Sequence, residues 1–203
     1  GSRIKDPVSF VDFAPTALSL AGVKIPDYMM GRAFAGGART RANEYVFCTR
    51  DRMDERYDMM RSLMNYRYLY IRNYRPELPY VQRLSYQFQA RGYQSWAKEA
   101  AAGRLTPATA QFWGEKPTEE LYDLAKDPGQ LNNVAGNAAY ASAQSRLQTE
   151  LDRWMTAMND PRRPHSPDPD IFDRYPIRQR PRNASPTAAT PENAWPGTTG
   201  SST

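Results

Sequence analysis

Proline sets the first boundary in this chain. From Pro161 onward it recurs at positions 164, 167, 169, 176, 181, 186, 191 and 196. A residue that lacks a backbone donor and fixes φ excludes both a helix interior and a central strand. Residues 161–203 are therefore expected to be extended, and the part after Arg182, where Ser, Thr, Ala and Asn fill the gaps, to be disordered. Ile171, Phe172, Tyr175 and Ile177 still offer apolar groups that can dock on a surface. Whatever packs into a core must come mainly from residues 1–160.

Composition narrows what that core can do. Apolar residues make up 40% and aromatics 12% of the 203 residues, which fits a packed unit diluted by a polar segment. No apolar run approaches the ~20 residues that a membrane-spanning helix needs. One cysteine leaves no intrachain disulfide framework and no cysteine-rich zinc site. One histidine, His165, lies in the Pro-rich tail, where a general base is not held within the ~3 Å of its substrate that proton transfer requires. Carboxylates, arginines and tyrosines remain for chemistry. The net charge of +5 comes mostly from arginine, with acids interspersed. This favours anionic partners without choosing one, and a like-charge stripe of the nucleic-acid-binding kind is missing. Gly1-Ser2-Arg3-Ile4-Lys5 is polar and no apolar h-region follows, so no signal peptide is expected.

Local patterns place the elements. Pro15 suits a first helical turn and Gly22 a C-terminal cap, so residues 15–21 are predicted as a short helix. Its apolar residues run nearly all round, which predicts burial by partners that this chain does not supply. Tyr45-Val46-Phe47-Cys48 reads as a strand. Residues 60–64 and 68–71 read as two strands joined by a turn at Asn65-Tyr66-Arg67, with the second arm covered on both faces. Residues 93–104 read as helix, Thr106-Pro107 opens another, and 119–124 forms a short strand closed by Asp127-Pro128-Gly129. Residues 138–158 are predicted as an amphipathic helix with Leu147, Leu151, Trp154 and Met158 on one face.

Three features bear on chemistry. Cys48, at the end of an apolar strand, is read as a small buried hydrophobe; a tyrosine-phosphatase loop fails because Asp54 stands where its arginine is required. The segment Arg50-Asp51-Arg52-Met53-Asp54-Glu55-Arg56-Tyr57-Asp58 is read as a charged loop. It is either a solvated connection of weak ion pairs or a rim that binds an anion or a sugar, because arginine forks match sulfate and carboxylate. The run from Tyr66 to Tyr74 interleaves bases with rings, but the sheet needs those rings for its own burial, so nucleic acid is disfavoured.

Three strings in order, VSFVDFAPTALSLAGVKIPDYMMGRAF, MMRSLMNYRYLYIRNYRPELPY and EELYDLAKDPGQLNNVA, resemble the C-terminal third of a type I, formylglycine-dependent sulfatase over residues 7–158. RDRMDERYD leading into YIRNYRPELPY resembles the bacterial relatives of heparan N-sulfatase. The resemblance implies an α+β fold: a small antiparallel sheet from 44–74 and 119–124 packed against the C-terminal helix, with the extended Pro-rich tail following. It implies residues 1–40 as the end of an N-terminal α/β domain and the connection, 41–160 as the C-terminal sulfatase subdomain, and 161–203 as the tail. It implies a parent enzyme that hydrolyses sulfate esters or sulfamates of a glycan. The family's nucleophile is a formylglycine made from Cys-x-Pro/Ala-Ser-Arg, assisted by calcium. Cys48-Thr49-Arg50-Asp51-Arg52 departs from that motif, so both groups are expected in the N-terminal domain, the chain's principal partner, and this chain alone is expected to be inactive. Arg50, Asp51, Arg52 and Glu55 are the expected substrate contacts, and a periplasmic or secreted location fits the family. Two alternatives stand beside this reading. One is an independent polyanion-binding module using Arg50, Arg52, Arg56, Arg67 and Arg72; the other is a purely structural module.

Overall fold

The structure is a computed structural model that describes residues 6–53, 56–162 and 164. The chain divides into two compact units. The first comprises residues up to Asp51, Met59–Tyr74 and Pro117–Leu151; the second comprises Arg52–Asp58, Arg75–Lys116 and the residues from Asp152 onward. The residues of the Pro-rich tail read above as extended or docking, from His165 on, lie outside the described residues.

The first unit holds most of a four-stranded antiparallel sheet of order β1-β2-β3-β4, built from Val46–Met53, Arg56–Met64, Tyr68–Asn73 and Glu119–Asp123. The predicted turn joins β2 to β3. Asn65 Oδ1 accepts from the amides of Arg67 and Tyr68 at 2.9 and 2.8 Å, an Asx-type turn that fixes the register. Leu63 then faces Tyr70, and Tyr70 faces Leu121. All three are fully buried. The long helix α4, Ala141–Ala157, follows a turn capped by Asn137, whose Oδ1 accepts from the Ala139 amide at 2.9 Å. Its Gln144 and Gln148 bond to Glu119 of β4, which lays its first half on the face that carries Leu63, Tyr70 and Leu121. The helix's buried row is Leu147, Leu151 and Met155, all at 0% exposure, rather than the predicted row that continued to Trp154 and Met158. Met158 is 43% exposed. Each step of four turns about 40° further around the helix, so the buried row curves away from the straighter predicted row. The outer edge of β4 is closed by the following loop: Leu121 N donates to Asn133 Oδ1 and Val134 N to Leu121 O, both at 2.9 Å.

The first helix, α1, spans Phe13–Leu20 and ends at Gly22, whose φ of +69° suits glycine. Its packing corrects the expectation of an all-apolar buried helix. The buried residues are Pro15 and a polar stripe, Asp12, Thr16 and Ser19, at i, i+4 and i+7. Residues 31–38 run along that stripe and donate backbone amides to it: Arg32 N to Asp12 Oδ1 (2.9 Å), Phe34 N to Thr16 Oγ1 (3.1 Å) and Ala38 N to Ser19 Oγ (2.9 Å). The close approach needs Gly31, since a Cβ there would stand 1.8 Å from Val11 O. The apolar residues face outward instead: Phe10, Phe13 and Leu20 are 90%, 53% and 67% exposed.

In the second unit, residues 75–116 form an insert between β3 and β4. Its ends are pinned by Lys116 N to Pro76 O (2.9 Å) and Val81 N to Phe112 O (3.0 Å). It carries α2, Arg91–Ala101, and the short α3, Pro107–Ala110. Thr106 caps α3 and Pro107 occupies its first position, as the sequence predicts.

Candidate functional site

The charged segment read as a loop is mostly strand. Residues 50–53 complete β1 and 56–58 open β2, so alternation along β1 sets Asp51 on the face opposite Arg50 and Arg52. Glu55 lies outside the described residues. Arg52 is exposed, with its guanidinium 5.2 Å from the Tyr57 ring centroid. Arg50 is half-buried. Cys48 is exposed rather than buried, because β1 is the sheet's edge strand.

Asp51 has a partner that the sequence reading missed. Arg61 of β2, 2% exposed, grips both of its carboxylate oxygens, Nη1 to Oδ1 at 2.7 Å and Nη2 to Oδ2 at 3.3 Å. A buried guanidinium cannot shed its proton, so it must be paired. The fork fixes the carboxylate's orientation while the Asp51 side chain stays 48% exposed. Next in the same row across the sheet come Arg72 on β3 and Glu119 on β4, in register with Arg61. Glu119 accepts from the Tyr70 hydroxyl (2.6 Å), Gln144 (2.8 Å) and Gln148 (3.0 Å). Burial, and then the hydrogen bond to the Glu119 carboxylate, push the Tyr70 phenol well above its ordinary value. The opposite face holds a second buried network, in which Asn73 Nδ2 and the Tyr122 hydroxyl bond to Glu120 at 2.6 and 2.7 Å.

Asp58, counted above as part of a solvated rim, is fully buried and paired with Lys116, Nζ to Oδ1 at 2.5 Å, both side chains at 0% exposure. The arginines of the polyanion reading are largely engaged within the fold. Arg67 bonds to Asp123 at 3.0 Å, Arg72 stands 4.0 Å from Glu119, and Arg56 Nε donates to Arg83 O at 2.5 Å. Arg67 lowers the Asp123 carboxyl below the usual carboxylate range by hydrogen bonding. Among the described residues no group of three or more His, Cys, Asp and Glu side chains is arranged to hold a metal ion. Arg50, Asp51 and Arg52 lie on β1 at the sheet edge, with Asp51 held by Arg61.

Comparison with known proteins gives this surface a setting. The chain is similar to the C-terminal part of sulfatases. It is 40% identical over 162 residues to an ulvan-active sulfatase of Formosa agariphila, covering 78% of this chain and 27% of that protein. A second ulvan-active sulfatase of the same organism is 29% identical over 166 residues, covering 79% and 31%. Among solved structures, a 2-O GAG sulfatase aligns over 74% of this chain and 25% of its own, at 21% identity and a TM-score of 0.48. No family model matches. The chain thus spans about a quarter to a third of the length of the curated relatives it matches.

Proposed function

We propose that this chain belongs to an enzyme that hydrolyses sulfate esters or sulfamates of a glycan, and that it shapes the substrate cleft without carrying the nucleophile. The observation that carries this reading is the 40% identity over 162 residues to an ulvan-active sulfatase. Ulvan is accordingly the first substrate to test. The division into 1–40, 41–160 and the tail from 161 is part of the same reading, with an N-terminal sulfatase domain as the partner of the first segment. The outward-facing Phe10, just before α1, and Phe13 and Leu20 on it suit such a partner, since clustered exposed apolar residues are a usual mark of an interface.

The family resemblance implies a formylglycine nucleophile and a calcium ion. The described residues fit neither. Cys48 is followed by Thr49, Arg50 and Asp51 where the motif needs Pro or Ala and then Ser at the second and third positions. No metal-holding cluster stands among the described residues. The chain's own contribution is recognition. In this reading Arg50 and Arg52, both on β1, fork onto anionic sugar groups, and Asp51 on the same strand accepts sugar hydroxyls, as does Glu55, which lies outside the described residues. Asp51 is held in position by Arg61. This also sets how it must be tested: Asp51→Ala strands the buried Arg61 charge, whereas Asp51→Asn keeps a partner for it.

The test is turnover by the full-length polypeptide that contains this chain, on ulvan and on an aryl sulfate, beside the isolated 203-residue chain. Turnover by the full-length protein and none by the chain is expected. Turnover by the isolated chain that survives Cys48→Ala would overturn the assignment of chemistry elsewhere.

A further inference from the structure

The insert between β3 and β4 has a composition that folding does not account for. From Tyr80 to Trp113 it holds seven aromatic residues and five glutamines, but only three branched aliphatics: Val81, Leu84 and Leu105. Four bases, Arg83, Arg91, Lys98 and Arg104, face one acid, Glu99. Rings of this number usually build a core. Here α2 and α3 bury no residue at all, and within 80–113 only Val81 and Gln82 are buried.

The rings hold one another instead. Phe88, Tyr93, Trp96, Phe112 and Tyr80 form a continuous run with centroids 5.7–6.1 Å apart, and Trp113 meets Trp96 edge-on at 5.4 Å. Hydrogen bonds fix the run: Trp96 Nε1 donates to Thr109 O at 3.2 Å, and Gln94 Nε2 to Phe88 O at 2.9 Å. The Arg83 guanidinium lies 5.1 Å from the Phe88 centroid. Tyr86, 79% exposed, and Phe112, 39% exposed, present ring surface to solvent. Glu99 is already held by Arg104, at 2.7 and 2.8 Å, so the one acid is neutralised within its own segment.

We propose that this insert binds an anionic polysaccharide, the rings stacking on the apolar faces of successive sugars and the bases meeting sulfate or carboxylate groups. Three features favour that occupant over a protein surface. The rings are preorganised, so little entropy is lost on binding. The side chains between them are amide and guanidinium donors, which match sugar oxygens and anions, while branched aliphatics are few. The charge is complementary to a polyanion. The sulfated class of ligand rests on the sulfatase reading; the binding itself is measured without turnover.

The experiment is affinity electrophoresis of the 203-residue chain in gels containing dextran sulfate, neutral dextran or polyglutamate, repeated with the full-length polypeptide. Retardation by dextran sulfate, exceeding that by polyglutamate and weakening with salt, is expected. The double variant Tyr86→Ala/Phe112→Ala should bind dextran sulfate about five- to tenfold more weakly while staying folded, with only a small drop in unfolding temperature. Arg91→Gln/Lys98→Gln, both at exposed positions, should flatten the salt dependence. Equal retardation by polyglutamate would reduce the site to charge alone and overturn the proposal. So would undiminished binding by the ring variant, or binding by the chain that vanishes in the full-length polypeptide, which would mark the insert as an internal protein interface. Absent dextran sulfate binding alongside normal glycan turnover by the full-length polypeptide overturns this inference alone; absent turnover overturns the sulfatase reading instead.

Discussion

The sheet and the insert use aromatic residues in opposite ways. In the sheet, Tyr68, Tyr70 and Tyr122 are 9%, 0% and 7% exposed. The hydroxyls of Tyr70 and Tyr122 end on Glu119 and Glu120. Tyr70 and Tyr122 supply buried area while their polar tips are satisfied, which is how a small core accommodates tyrosine. In the insert the rings pack on each other, and none of them is buried. A ring whose removal would unfold a sheet and a ring whose removal leaves the fold intact are under different demands: the first serves stability, the second is available for recognition. The same contrast runs through the charges. Asp58, Arg61 and Lys116 are buried and paired, whereas Arg52, Arg91 and Lys98 are exposed.

Mutations should separate the two regimes in order of size. Lys116→Met leaves Asp58 as a buried carboxylate without its cation, and should cost about 3–5 kcal/mol in a denaturant titration. Pairing it with Asp58→Leu should recover a large part of that loss, because the desolvation penalty disappears with the charges. Next, Leu147→Ala opens a cavity under a fully buried side chain and should cost about 2–5 kcal/mol. Phe112→Ala in the insert should cost well under half of that in the same titration. Comparable losses for Leu147 and Phe112 would erase the contrast between core and insert.

A smaller effect sharpens the sheet side of the comparison. The Asp123 carboxyl is lowered by hydrogen bonds from Arg67, so its folded value lies below its unfolded value of about 3.9. The stabilisation is therefore fully present above the unfolded value and is lost as pH falls through the folded one. Unfolding temperature should drop as pH is lowered from about 4 toward 2, and Asp123→Asn should flatten part of that slope. Arg67 is 54% exposed, so the effect is modest and should shrink in high salt.

Much of the frame was legible because it rests on local signals. The Asn65 turn, the Thr106-Pro107 helix start, the strand at 119–124 and the existence of the amphipathic α4 are written in short stretches of sequence. Long-range pairing was harder to read. Nothing near Asp51 announces that Arg61, ten residues on, will be buried against it, because that depends on which strand residues share a face. The same ignorance of pairing turned most of a strand hairpin into a charged loop and placed the buried Asp58 on its rim. In α1 the signal was present but overlooked. Asp12, Thr16 and Ser19 recur at helical spacing, and a polar stripe can be the packed side when a neighbouring backbone brings the donors. Cys48 was misjudged because β1 was read by its apolar residues, not by its place at the sheet edge.

The claim that this chain selects substrate and leaves the chemistry to another part of the polypeptide is tested most directly by Arg52→Ala in the full-length polypeptide, with kcat/KM measured on ulvan and on a small aryl sulfate. Arg52 is exposed, so its loss leaves the buried pairs of the sheet intact. Losing one charge-assisted contact should cost about 1.5–3 kcal/mol, roughly ten- to a hundredfold in kcat/KM, on the glycan. The loss on the aryl sulfate should be at least about tenfold smaller, since a small substrate does not reach the hairpin. Equal losses on the two substrates, or no loss on either, would contradict it.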